Sequence, residues 1–378
     1  PGIETGQVGC SVWRNGGIRV ARIGGIAVDI HLSFALVIAW GAWQGWSRYS
    51  SVGGAAFGIL AVLLLFACVL LHELGHGLQA RALGLAVHRI TLLPIGGLAE
   101  LESSPSYYRH ELFIALAGPV VNLGLALLLG VIAYLIQPFS LASWPDYLLF
   151  LAPQSGRTLL LYTFWVNALL FFSNMLPAFP MDGGRVMRAA LAILTDYETG
   201  TRLTAWLGRL VAVGIILWVG HGLLSGSNSP NPVLAIAAPL VWAGAQHEEV
   251  YVRRRRALVR LEVGSVYRAA TDSVAPWEAL TPRLAARLER AGGTLPVVVG
   301  GRVVGLASID DVQRALRSRQ QRTVAHIMRT QFPVVKPQET LWVALQEMST
   351  YQLAALPVMH GQEFYGIVSL DDIRRSWS

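Results

Sequence analysis

Three ionisable residues stand together near the end of a long apolar run, in His72-Glu73-Leu-Gly-His76. An ionisable group inside a membrane span is unfavourable by roughly 2.5–3.5 kcal/mol on insertion scales, so such groups mark sites more often than they fill space. In a helix, positions i and i+4 share one face, so His72 and His76 can aim both imidazoles at one cation with Glu73 beside them. This is the His-Glu-x-x-His pattern in which two histidines hold zinc and the glutamate serves as general base. The plainer alternative is a polar cluster lining a water-filled cavity without metal. Cys68, one turn earlier on the same face, has two readings: a fourth ligand, or a small buried hydrophobe.

The elements that carry these residues are those of a membrane protein. Of 378 residues, 53% are hydrophobic and only 14% charged, far from the soluble average. The formal charge of +7 is almost entirely arginine, Lys336 being the only lysine. Much of it flanks apolar runs, which is topology information rather than a nucleic-acid surface, and no nucleic-acid partner is expected. Two cysteines, Cys10 and Cys68, cannot build a disulfide framework. No signal peptide is expected, since Arg14, Arg19 and Arg22 precede the first apolar run near Ile30.

Residues 1–29 read as a surface segment with a small strand pair, Ile18 to Ile23 and Ile26 to Val28. Six apolar runs follow, at about 30–47, 53–80, 111–136, 157–177, 203–224 and 231–251. They predict an α-helical polytopic membrane protein of about six transmembrane helices, with a membrane domain over 30–252. Arg253 to Arg256 directly after the last run put the C-terminal half in the cytoplasm, and six spans then put the N-terminus there too. Arg81, Arg89, Arg109, Arg185, Arg188 and Arg202 fall on the same side; Arg48 and Arg157 are exceptions.

This topology sets His72 and His76 toward the cytoplasmic end of the second span, so a third ligand should come from another segment on that side. The leading candidate is Asn174-Met-Leu-Pro177-Ala-Phe-Pro180-Met-Asp182-Gly183-Gly184-Arg185. Two prolines stop the fourth span, the Gly pair permits a tight reversal, and Asp182 is the one acid at that depth. By itself Pro-x-Asp-Gly is an ordinary turn.

Beyond Arg256 the chain reads as a soluble domain with an internal repeat. Leu295-Pro-Val to Asp310-Asp311-Val recurs 61 positions later as Leu356-Pro-Val to Asp371-Asp372-Ile. Each copy, about 262–317 and 323–378, predicts strand, tight turn, strand and a helix opened by Ser and Asp, with amphipathic helices at 278–290 and 340–351 upstream.

His72-Glu73-Leu-Gly-His76, Ala117-Gly118-Pro119-Val-Val-Asn122 and Asn174 to Arg185, in this order, resemble the site-2 protease family of intramembrane zinc metalloproteases. The repeat resembles a tandem CBS (cystathionine-β-synthase) pair, an α/β module over 253–378, as in the CBS-carrying branch of that family. The resemblance implies one Zn2+ per chain held by His72, His76 and Asp182, and Glu73 as general base. Asn122 and Asn174 are then candidates for the oxyanion, or else make interhelical hydrogen bonds. Gly96 and Gly97, within Thr91 to Glu102, offer a strand edge for an unwound substrate, or a surface turn. Asp311 and Asp372 stand where CBS pairs contact the ribose of an adenine nucleotide, though Ser-x-x-Asp is also a capping arrangement. His31 reads as an interfacial anchor, and His221, Arg202 and Arg209 as cavity-lining or snorkelling groups.

The function expected is intramembrane proteolysis of single-span membrane proteins, such as anti-sigma factors, tethered regulators or signal-peptide remnants, modulated by the CBS domains. The setting implied is a multi-pass inner-membrane protein in the lipid bilayer, with homodimerisation through the CBS domains as one arrangement. The rivals are a CBS-regulated transporter or metal-handling protein, and an inactive helix-binding relative. Neither needs Glu73 between the histidines.

Overall fold

A computed structural model describes residues 17–94, 96–101, 108–148, 152–225, 232–269, 272–317, 323–351, 353–361 and 363–377. Cys10, Arg14, Ile95 and Glu102, and with them the first 16 residues of the expected surface segment, lie outside the described residues. The chain divides into two compact units between Glu249 and Val250.

In the first unit, strands β1 (Gly17–Ile23) and β2 (Ile26–His31) precede helices α1 (Phe34–Tyr49) and α2 (Val52–Ala82). Strands β3 (Val87–Leu93) and β4 (Gly96–Leu101) follow, then α3 (Tyr108–Ile136) and the short α4 (Trp144–Leu148). Helices α5 (Gly156–Asn174), α6 (Asp182–Leu194), α7 (Tyr197–Leu224) and α8 (Pro232–Val259) complete it, the unit boundary falling within α8.

Every apolar run carries a helix, but among the described residues three, α2, α3 and α7, are long and apolar enough to cross a membrane. Helix α1 has 16 residues, short of the roughly 20 that span a bilayer. On α3, Leu127 and Leu135 are 62% and 77% exposed, as a lipid-facing surface requires. Close packing of α1 on α2 depends on four glycines: a Cβ at Gly45 would lie 2.0 Å from the Gly54 carbonyl oxygen, and one at Gly58 2.0 Å from that of Gly41. Backbones that touch in this way are the small-xxx-small contact of membrane helices.

The strands form one sheet, ordered β1-β2-β3-β4. β1 and β2 form the expected strand pair, which is antiparallel, and β2 runs parallel to β3. The stretch from Thr91, expected to offer a strand edge, folds as a hairpin, with β3 turning at Pro94 into β4 and Gly96 at φ +141°. Pro94 has no N–H for a ladder, which ends the strand there. Ile26, Val87 and Ile90 pack with Leu74 and Ala80 of α2 and Ile114 of α3, setting the sheet against the helix that carries the histidines.

Helix α6 meets α3 and α8 at a buried charge cluster. Arg188, 4% exposed, is hydrogen-bonded to Glu111 and reaches Glu248 at 2.5 Å, with Phe179 and Tyr197 rings at 4.9 and 5.0 Å. Arg209 of α7 pairs with Glu249 of α8, so it belongs to helix packing.

After the short strand β5 (Arg268–Ala269), the second unit carries the element repeat. Helix α9 (Pro282–Arg290), β6 (Thr294–Val299), β7 (Arg302–Ser308) and α10 (Ile309–Arg317) recur as α11 (Leu341–Tyr351), β8 (Ala355–His360), β9 (Glu363–Ser369) and α12 (Leu370–Trp377). The copies exchange short segments: Arg268 and Ala269 pair with β9, and Arg329 bridges Leu306 of β7.

Candidate metal centre

His72 and His76 lie on the buried face of α2, and Asp182 is the first residue of α6. Asp182 Oδ2 is 3.1 Å from His72 Nε2 and 3.0 Å from His76 Nε2, and the two Nε2 atoms are 3.1 Å apart. The remaining ring nitrogens fix the tautomers. His76 Nδ1–H donates to the Ile114 carbonyl at 2.7 Å, and His72 Nδ1–H to Asn122 Oδ1 at 2.5 Å. Asn122 is oriented in turn, because its amide nitrogen donates to Asn167 Oδ1 at 2.8 Å.

Both Nε2 atoms therefore present lone pairs, and they face a carboxylate oxygen. Three acceptors at this separation repel one another unless a cation lies between them. Ligands about 2.0–2.1 Å from a tetrahedral zinc are about 3.3 Å apart, close to the spacing here, and two nitrogens with one oxygen suit that ion. The donor set fits zinc, and among the described residues it is the one group of three metal-ligating side chains close enough to share an ion.

Local sequence explains how three segments reach one point. A Cβ at Gly118 would lie 2.3 Å from His76 Nε2 and 2.9 Å from His72 Cε1, so α3 passes over the histidines only because this residue is glycine. Gly183 and Gly184 serve for a different reason from the one their sequence suggests. Neither has a positive φ. They are helical, and a Cβ would meet the Leu176 carbonyl oxygen at 2.3 Å or the Ala178 backbone at 2.8 Å, so they bring the start of α6 back against the end of α5. Glu73 lies against β4, its Cγ 2.4 Å from where a Gly97 Cβ would be. β4 is the outer strand of its sheet, so the carboxylate stands beside a free edge among the described residues.

The remaining candidates separate. Cys68 is buried at Asn167, which donates to its Sγ at 3.1 Å, and it stays outside the ligand cluster. Asn174 ends α5 with its amide donating to the Leu170 carbonyl at 3.0 Å. Gly96 opens β4. His31 closes β2, its Nδ1 2.7 Å from Ser33 Oγ. Asp311 and Asp372 begin the repeat helices, each capped by the serine three residues earlier and each near an arginine. Asn167, fully buried, had no role in the sequence reading, although an amide midway along an apolar run is itself a signal. Arg185, which the sequence marks only as topology charge, has its Nη1 3.8 Å from Asp182 Oδ1.

The profile of Peptidase family M50 matches residues 60–154 and 151–217, and that of the CBS domain matches 324–378. The chain is 29% identical over 367 residues to Zinc metalloprotease MJ0392 of Methanocaldococcus jannaschii, covering 96% of this chain and 97% of that protein. It is 32% identical to the solved Site-2 Protease from Methanocaldococcus jannaschii, over 62% of this chain and 95% of that one, with a TM-score of 0.42. Stage IV sporulation protein FB of Bacillus subtilis is 32% identical over 171 residues, 44% of this chain and 54% of that protein. A His-Glu-x-x-His helix and a converging carboxylate among apolar helices are the parts of a metallopeptidase set in a bilayer. The chain belongs to peptidase family M50, the site-2 proteases, and carries a CBS domain at its C-terminal end. It is a zinc-dependent intramembrane metalloendopeptidase.

Proposed function

We propose that His72, His76 and Asp182 hold the zinc ion, that Glu73 is the general base, and that the substrates are single-span membrane proteins. The observation that carries this reading is the convergence of three lone-pair atoms at 3.0–3.1 Å, with Glu73, next to His72 in the helix, lying against Gly97 of the outer strand β4. A zinc ion held by these three side chains would supply Lewis acidity, polarising the scissile carbonyl and lowering the pKa of water toward neutrality. Glu73 takes the proton from the attacking water and delivers it to the leaving nitrogen. Asn122 and Asn167 keep His72 in the tautomer that presents Nε2.

A membrane helix shields its carbonyls by its own hydrogen bonds, so the substrate must be locally unwound. Added as a strand to β4, it would be held extended, with Gly97 leaving room for Glu73 alongside. Six spans, both termini in the cytoplasm of an inner-membrane protein, and regulation through a CBS pair binding adenine nucleotide or pairing two chains complete the reading. The arginine distribution supports the topology.

Co-expression with tagged single-span candidates tests the assignment, comparing wild type with Glu73→Gln and Asp182→Ala. Only wild type is expected to cut; equal fragments from all three would overturn the residue roles. Equal proteolysis with and without residues 250–378, together with no calorimetric nucleotide signal, would remove the regulatory part alone.

A further inference from the structure

The centre contains a cation that neither the ligand set nor the general base uses. Arg185 lies one helical turn after Asp182 on α6. Its Nη1 is 3.8 Å from Asp182 Oδ1, the oxygen turned away from the histidines. It also stands within electrostatic reach of Glu73, and its side chain keeps 29% of its surface open. At 3.8 Å the pair is held by charge rather than by a hydrogen bond, so guanidinium N–H groups remain able to take another acceptor.

Each of the two amides that the sequence offers for an oxyanion already commits one of its two N–H groups elsewhere, Asn122 to Asn167 and Asn174 to the Leu170 carbonyl, and neither carries a charge. Yet hydrolysis needs a donor at one definite stage. The water oxygen bonds to the carbonyl carbon, the π pair moves onto the carbonyl oxygen, and a water proton goes to Glu73. Collapse of that oxyanion re-forms the carbonyl and breaks the C–N bond as the proton passes from Glu73 to the leaving nitrogen. Between these events the carbonyl oxygen carries a full negative charge, which a fixed positive charge beside the centre would stabilise. Arginine suits this place because it stays protonated and cannot compete with Glu73 as an acid.

We propose that Arg185 is a further catalytic residue, binding the carbonyl oxygen of the scissile bond as it becomes an oxyanion; this rests on the roles given above to Glu73 and the three ligands. The test uses the full chain in detergent with a cleavable single-span substrate, comparing wild type, Arg185→Met and Arg185→Lys, with Glu73→Gln as control. Arg185→Met should lower kcat by about 10²- to 10³-fold and weaken a phosphinic peptide, whose tetrahedral group carries the oxyanion, by a similar factor. KM should stay within about twofold and zinc affinity, read by chelator competition, should not change. Arg185→Lys should recover part of kcat. Wild-type kcat in Arg185→Met would overturn the proposal. So would a kcat loss matched by loss of zinc affinity, which would make Arg185 a support for Asp182 alone. Should Glu73→Gln cut as fast as wild type, the underlying roles fall independently of Arg185.

Discussion

At the scale of single residues, the centre is defined as much by what aims the ligands as by the ligands. His72 owes its tautomer to Asn122, and Asn122 owes its orientation to Asn167. Removing such an outer partner lowers metal affinity by about 10- to 100-fold. Asn122→Ala should therefore show a zinc affinity reduced by that factor in chelator competition, with the fold intact by circular dichroism. An unchanged affinity would mean that the ring is held by packing alone. Gly118 is a sharper case, since a side chain there would stand 2.3 Å from His76 Nε2, a ring locked by its bond to Ile114. Gly118→Val should yield protein that inserts in the membrane but purifies without zinc.

At the scale of elements, α6 carries Asp182, and Arg188 anchors the helix from within. A buried guanidinium with two carboxylates is tolerated because each charge is paired; removal of one partner leaves an uncompensated charge, destabilising by about 3–5 kcal/mol. Arg188→Met should lower the thermal midpoint in detergent markedly, and adding Glu111→Leu should restore much of it. If the single substitution is neutral, the cluster does not hold α6 in place. The element scale is also where the sequence reading was least complete. Helix positions were legible from apolar runs, and Asp182 was legible as the candidate third ligand from Pro177 and Pro180. That the 87–101 segment folds as a hairpin inside a sheet with the N-terminal strands was not, because register depends on partners 62 residues away, such as Ala27 opposite Arg89.

At the scale of the whole chain, the repeat is more than a duplication. Arg268 and Arg329 are separated by the same 61 positions as Asp311 and Asp372, and the pairing is crossed. Arg268 of the first copy meets Asp372 of the second at 2.9 Å, and Arg329 of the second meets Asp311 of the first at 3.5 Å. The copies are thereby joined by two quasi-equivalent ion pairs besides their exchanged strand segments. Within the first copy, Arg287 holds the Asp272 carboxyl below its usual value, chiefly through its hydrogen bonds. A carboxylate whose folded pKa is lowered contributes stability above the unfolded value of about 3.9 and loses it as pH falls through the folded value. Hydrogen exchange near residues 272–290 should thus accelerate, beyond its intrinsic pH dependence, as pH drops below about 4. Asp272→Asn should abolish that excess, and the effect should be small because the pair is partly exposed.

What the sequence determined by itself was local or periodic: the paired histidines with Glu73, the apolar runs, the helix-stopping prolines before Asp182, and the 61-residue repeat. Each is written in residue types at fixed spacing, which helix geometry and turn chemistry convert directly into placement. Only the tertiary structure decided which neighbours those residues meet. It joined Asn122, a candidate for the oxyanion, and Asn167 in a chain of bonds ending at His72, and assigned Gly183 and Gly184 to clearance rather than to a tight reversal, with Gly97 and Gly118 giving clearance to Glu73 and the histidines. It brought the Asp182 carboxylate, 106 positions along the chain, to within 3.0 Å of the His76 imidazole. Close approach depends on what packs from another segment, and spacing along one chain holds no record of that contact.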